Sequence, residues 1–156
     1  MLDTNVVLDW LFFHDPRVSA LARAIEGGQV RVESGDCLAE EFCRVLCYPA
    51  FSIAGDERER LIARYLDFVV MPQVASISSA NIPLRCRDAD DQKFLQLAWR
   101  SGADLLTRDK ALLVLGRRFT LLGGGRICVP ESRFPPVVDD LPARVPRQAG
   151  RCQSGA

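Results

Sequence analysis

At 156 residues, 48% of them hydrophobic and 26% charged, the chain has the make-up of one globular domain, which excludes a disordered or fibrous protein. Twenty basic residues cancel twenty acidic ones, so no long-range field draws the whole molecule to nucleic acid or an anionic membrane, and a polyanion has to be held locally. No apolar run reaches the ~20 residues of a bilayer span, and Met1-Leu2-Asp3 opens without a basic and apolar leader, so a cytoplasmic protein is expected.

Residues 2–8 are apolar apart from Asp3-Thr4-Asn5 and predict a buried strand running into a polar turn. Asp15-Pro16 reads as an N-cap and first-turn proline of a helix over 16–26, with Val18, Leu21, Ala22 and Ile25 on one stripe and Gly27-Gly28 as the stop. Val30 and Val32 alternate as a short strand. Asp36 is placed to cap a helix through Cys47, with Leu38, Phe42, Val45 and Leu46 inward and Pro49 beyond its end. A further helix is expected from Gly55 to about Asp67, then a fully buried strand over 68–71. The acid-rich run over 87–91 opens a helix ending near Gly102, whose apolar stripe (Phe94, Leu95, Ala98) begins at Asp91. A short strand over 103–107, a short helix over 109–115, and one or two strands over 119–122 and 127–129 complete a domain at 1–134. The remaining segment, 135–156, is proline-rich with little apolar periodicity and reads as a disordered tail. Strands alternating with helices predict an α/β protein, a single-domain α/β/α sandwich around a mostly parallel sheet.

The chemistry narrows by elimination. Six cysteines without a C-x-x-C pair, and a lone His14, do not make a zinc set, so buried reduced thiols are expected. His14 has no nucleophile near it in sequence, which weakens any Ser-His-Asp or Cys-His scheme. Carboxylates remain. In a parallel sheet, ligands bind outside the carboxyl ends of the strands, and four acids are expected there: Asp3 after the first strand, Glu41 on the helix after the second, Asp91 opening a later helix, and Asp109 after the strand that follows. Spacings of 38, 50 and 18 residues mean that only the fold can gather them. Carboxylates brought together without basic partners repel unless a cation joins them, and oxygen-only ligands suit Mg²⁺ or Mn²⁺. Glu40, Asp88, Asp90 and Asp104 are the substitutes if the register differs by a residue or a turn. Thr4 and Asn5 are placed to orient Asp3. Arg85, Arg87, Arg108, Arg117, Arg118 and Arg126 offer phosphate contacts, with solubility as the competing reason for them.

Four segments in order resemble the PIN-domain ribonucleases, in particular the toxins of bacterial type II toxin–antitoxin pairs: Leu2-Asp3-Thr4-Asn5-Val6-Val7, the stretch from Leu38 to Leu46 with Glu41, the run from Cys86 to Leu95 with Asp91, and Ala103 to Lys110 with Asp109. Ile127-Cys128-Val129-Pro130-Glu131 is similar to the family's last strand, so the resemblance spans about 2–134; only Met1 and Leu2 precede Asp3, fewer residues than that pattern usually has. The resemblance implies a Mg²⁺- or Mn²⁺-dependent endoribonuclease whose metal and catalytic residues are Asp3, Glu41, Asp91 and Asp109, hydrolysing RNA by a metal-activated water. It further implies a small antitoxin partner and a homodimer. The alternative is a catalytically silent PIN-like module that binds RNA or protein. A receiver-like signalling domain is disfavoured because the strand over 68–71 ends in Met-Pro, and a haloacid-dehalogenase phosphatase because Asn5 stands where its second Asp belongs.

Overall fold

The computed structural model describes residues 1–71 and 82–136. Residues 137–156 of the expected tail therefore lie outside the described residues, as do residues 72–81.

In chain order the elements are α1 (Thr4–Leu11), a 3-10 turn (Pro16–Val18), α2 (Ser19–Glu26), β1 (Val32–Glu33), α3 (Asp36–Val45), a second 3-10 turn (Pro49–Phe51), α4 (Gly55–Phe68), β2 (Val69–Val70), α5 (Gln92–Ser101), β3 (Leu105–Leu106), α6 (Lys110–Leu113), α7 (Gly116–Leu121), β4 (Ile127–Cys128) and α8 (Pro130–Arg133). All the strand pairing is parallel: β1 with β2, β3 with β4, and Leu2 bridged to Leu106. This is the predicted α/β/α class, with apolar cores built from α1–α4 on one side and from α5–α7 with β3 and β4 on the other. No helix among the described residues is long and apolar enough to cross a membrane.

The first strand is far shorter than expected. After Leu2 the chain turns at once into α1, because the Asp3 carbonyl accepts the amides of Val6 and Val7 at 2.9 and 3.1 Å. Val6, Val7, Trp10 and Leu11, all at most 3% exposed, repeat at helical spacing. Their burial nearly all round the helix is what gave 2–8 the look of a buried strand. Residues 119–122 are likewise helical: α7 is closed by the Phe119 amide on the Leu115 carbonyl at 2.9 Å, with Phe119 fully buried and Leu121 76% exposed. A short apolar run does not separate helix from strand by periodicity alone. α7 lies so close to β4 that a Cβ on Gly116 would sit 2.9 Å from the Ile127 carbonyl oxygen.

The 68–71 strand is neither full length nor buried. Phe68 ends α4, and β2 is the outer member of its pair, with Val70 41% exposed. α3 stops at Val45, and its N-cap is Gly35 rather than Asp36, which sits in the first turn and makes no capping bond. α5 ends as expected at Gly102, whose φ of +67° is the left-handed geometry that glycine adopts without strain. The described cysteines Cys37, Cys43, Cys47, Cys86 and Cys128 are free, but none is buried.

Candidate metal centre

Two strand ends, the middle of one helix and the start of another bring the four acids to the same edge of the fold. Asp3 follows the Leu2 bridge, Asp109 follows β3, Glu41 lies on α3 after β1, and Asp91 is the N-cap of α5. This is the edge of a parallel sheet at which ligands bind.

Of the polar residues that are buried among the described ones, Asp3, Thr4 and Thr107 belong here. The Thr4 hydroxyl donates to Glu41 Oε1 at 3.1 Å. The Thr107 hydroxyl donates to Asp3 Oδ2 at 2.7 Å and accepts the Asp109 amide at 2.9 Å. The Asp109 carboxylate in turn caps α6, accepting from the amides of Ala111 at 2.5 Å and Leu112 at 3.3 Å. Thr107, fully buried at the end of β3, thus fastens two of the acids at once. Gln92 fastens the loop that carries the third, accepting the Cys86 amide at 2.8 Å and donating to the Leu84 carbonyl at 3.0 Å.

Electrostatics bind the group together. Burial pushes the Asp91 carboxyl up to about 6, and the charges of Asp109, Asp88, Asp3 and Glu41 push the same way. Burial also raises Asp3, against the Thr107 hydroxyl bond and the nearby Asn5 amide, with Glu41 and Asp109 adding to the rise. The Asn5 amide does not complete a capping bond, and its side chain is exposed, so Asn5 acts on Asp3 through its backbone. Asp3 and Asp91 thus lie within electrostatic reach of Glu41 and Asp109. Glu41 is turned inward while Glu40 is exposed.

Two basic residues at this edge are held by acids: Lys93, for which the sequence suggested no role, and Arg108, which was expected to offer a phosphate contact. Lys93 Nζ meets Glu41 Oε2 in a close ion pair. Arg108 is turned away from the crevice, to Asp9 at 2.8 Å and Glu131 at 2.6 Å, so it is not placed for phosphate. Arg87 does reach the crevice: with Asp88, Asp91 and Asp109 it lines a cavity of about 370 Å³.

Among the described residues no three His, Cys, Asp or Glu side chains, as they stand, are grouped so that they could hold a metal ion. The donors still fit a hard divalent cation. They are all oxygens, and two of them are carboxyls whose charged forms their surroundings disfavour. Gln92 and Lys93 were given no role by the sequence reading, and Thr107 entered it only within the segment that resembles the family's strand ending in Thr and then an acid. Only Thr107 carried a local signal, a hydroxyl just before the acid at a strand end.

A parallel α/β/α fold with an acid-lined crevice at its strand ends is the architecture of a nuclease-type domain. A family model for the PIN domain matches residues 1–111, a span that contains all four acids, and the chain belongs to that family. PIN domains are generally nucleases. No curated protein and no solved structure matches the chain.

Proposed function

We propose that the protein is a Mg²⁺- or Mn²⁺-dependent endoribonuclease in which Asp3, Glu41, Asp91 and Asp109 hold the metal. The observation that supports this most is the crevice itself, where Asp91 and Asp109 line one cavity with Arg87 and the Thr107 hydroxyl ties Asp109 to Asp3. Such a group of acids becomes comfortable when a cation joins it. When bound, the divalent ion supplies Lewis-acid polarisation of a phosphoryl oxygen and lowers the pKa of water.

The chain's own residues prepare the site. Thr107 orients Asp3, Thr4 orients Glu41, and the first turn of α6 fixes Asp109. Arg87, on the wall of the cavity beside Asp91 and Asp109, is the guanidinium placed to take an RNA phosphate. The reading extends, on the resemblance, to the toxin of a pair with a small antitoxin and to a homodimer. The exposed side chains of Val114 and Leu121 offer apolar surface for such contacts.

The test is incubation of the purified protein with structured and unstructured RNA and Mn²⁺, beside Asp91→Asn, which keeps the size and removes the charge. Metal-dependent cleavage by the wild type, reduced about a thousandfold in the variant (about 4 kcal/mol of barrier), is expected. Equal cleavage by both forms overturns the reading. The Lys93 contact with Glu41 favours one rival, a catalytically silent PIN-like module with a permanently neutralised acid. Absence of both cleavage and Mn²⁺ binding in the wild type would establish that rival.

A further inference from the structure

α3 and α5 pack together at the crevice, and across that contact the Lys93 ammonium lies against Glu41 Oε2. The pair is partly screened from water, with the Lys93 and Glu41 side chains 25% and 17% exposed. Lys93 Nζ also stands 5.7 Å from the centre of the Phe94 ring, a secondary attraction for a cation. Glu41 Oε1 is already taken by the Thr4 hydroxyl. The carboxylate oxygen left for any incoming cation is thus the one that Lys93 covers.

We infer that Lys93 is the metal site's internal counter-ion: it neutralises Glu41 in the metal-free protein, yields Oε2 to the divalent cation, and then holds an RNA phosphate at the mouth of the crevice. The inference rests on the nuclease reading above and adds a residue that acts both on metal loading and on substrate. One oxygen in a crowded site does not serve an ammonium and a metal ion equally well, so the two compete. A lysine suits the exchange because its charge is a compact point on a flexible four-carbon stem, which swings without breaking a fork of paired bonds as an arginine must. Once displaced, the ammonium stays beside the acids whose charge the metal has neutralised, and the nearest unmatched anion is the substrate's backbone. Arg108, the other strongly held cation at this edge, is not available for that task because Asp9 and Glu131 hold it.

The experiment compares wild type, Lys93→Met, Lys93→Arg and Asp91→Asn. Mn²⁺ affinity is read by electron paramagnetic resonance, and KM and kcat for a short RNA are measured at saturating Mn²⁺. Lys93→Met keeps the length of the stem beside Phe94, and its circular dichroism and melting curve report whether it folds. It is expected to bind Mn²⁺ about five- to tenfold more tightly than wild type, the size of a partly solvated charge pair, and to raise KM severalfold with a smaller change in kcat. Lys93→Arg, which keeps the charge but yields Oε2 less readily, is expected to bind Mn²⁺ no more tightly than wild type. Unchanged or weaker Mn²⁺ binding by Lys93→Met, or an unchanged KM, overturns the inference. If wild type binds Mn²⁺, Asp91→Asn does not, and Lys93→Met matches wild type, the nuclease reading stands and this inference alone falls. A wild type that binds no Mn²⁺ overturns both.

Discussion

Thr107 and Arg108 are consecutive residues at the end of β3, yet they serve two acid groups of opposite character. Thr107 faces Asp3 and the crevice, where carboxylates outnumber the cations among them. Arg108 faces the flank of α1 and α8, where one guanidinium is shared by Asp9 and Glu131 at 2.8 and 2.6 Å. Asp3 and Asp9 both belong to α1 or its cap, so the helix carries one acid of each kind. The second group is balanced and ties α1 to α8. The first is unbalanced and becomes comfortable only on gaining positive charge. A matched acid contributes to the fold, and an unmatched acid marks a place for a ligand.

The difference is tested most sharply by substituting the two neighbours separately. Arg108→Met leaves Asp9 and Glu131 facing each other without their shared cation. It is expected to cost about 2 kcal/mol in urea unfolding, below the ~3–5 of a fully buried pair because all three side chains keep some water, while Mn²⁺ binding stays as in wild type. Thr107→Val removes one hydroxyl from both Asp3 and the Asp109 amide. It is expected to cost less stability, about 1 kcal/mol, but to lower cleavage by about ten- to a hundredfold through misplaced acids. The reverse pattern, with Arg108→Met the worse nuclease and Thr107→Val the less stable protein, breaks the distinction.

A smaller effect is expected in the pH dependence of the metal-free protein. The Asp91 carboxyl is raised from 3.8 to about 6, chiefly by burial and then by its acidic neighbours, so the unfolded chain gives up this proton before the folded one does. Its contribution is therefore fully present below about pH 4 and is lost as pH rises through about 6. Partial solvation holds the loss to about 1 kcal/mol. Asp91→Asn is expected to be more stable than wild type above pH 6 and to converge with it near pH 4. Parallel curves would mean that Asp91 feels no unmatched charge.

What the sequence disclosed and what it hid follow from range. The α/β class, the helices α2 to α5 and the four acids were legible because each rests on local periodicity or on an acid beside an apolar run. α1 was misread because Val6, Val7, Leu8, Trp10 and Leu11 bury nearly its whole surface, which erases the polar face that identifies a helix. α7 was misread because six residues make fewer than two turns, too few for periodicity to speak. Glu41 and Glu40 are adjacent, and only the packing of α3 on α5 decides which faces inward. The pairings Thr107 with Asp3, Lys93 with Glu41, and Arg108 with Asp9 span 104, 52 and 99 residues, distances over which no sequence period reports.

The central claim is that the acids of the crevice, and not the two that share Arg108, take a divalent cation. A Mn²⁺ titration followed by electron paramagnetic resonance on wild type, Asp91→Asn and Glu131→Gln tests it directly. Wild type and Glu131→Gln are predicted to bind Mn²⁺ with the same affinity, and Asp91→Asn to lose that binding. Retention of wild-type affinity by Asp91→Asn, or its loss in Glu131→Gln, would contradict the account.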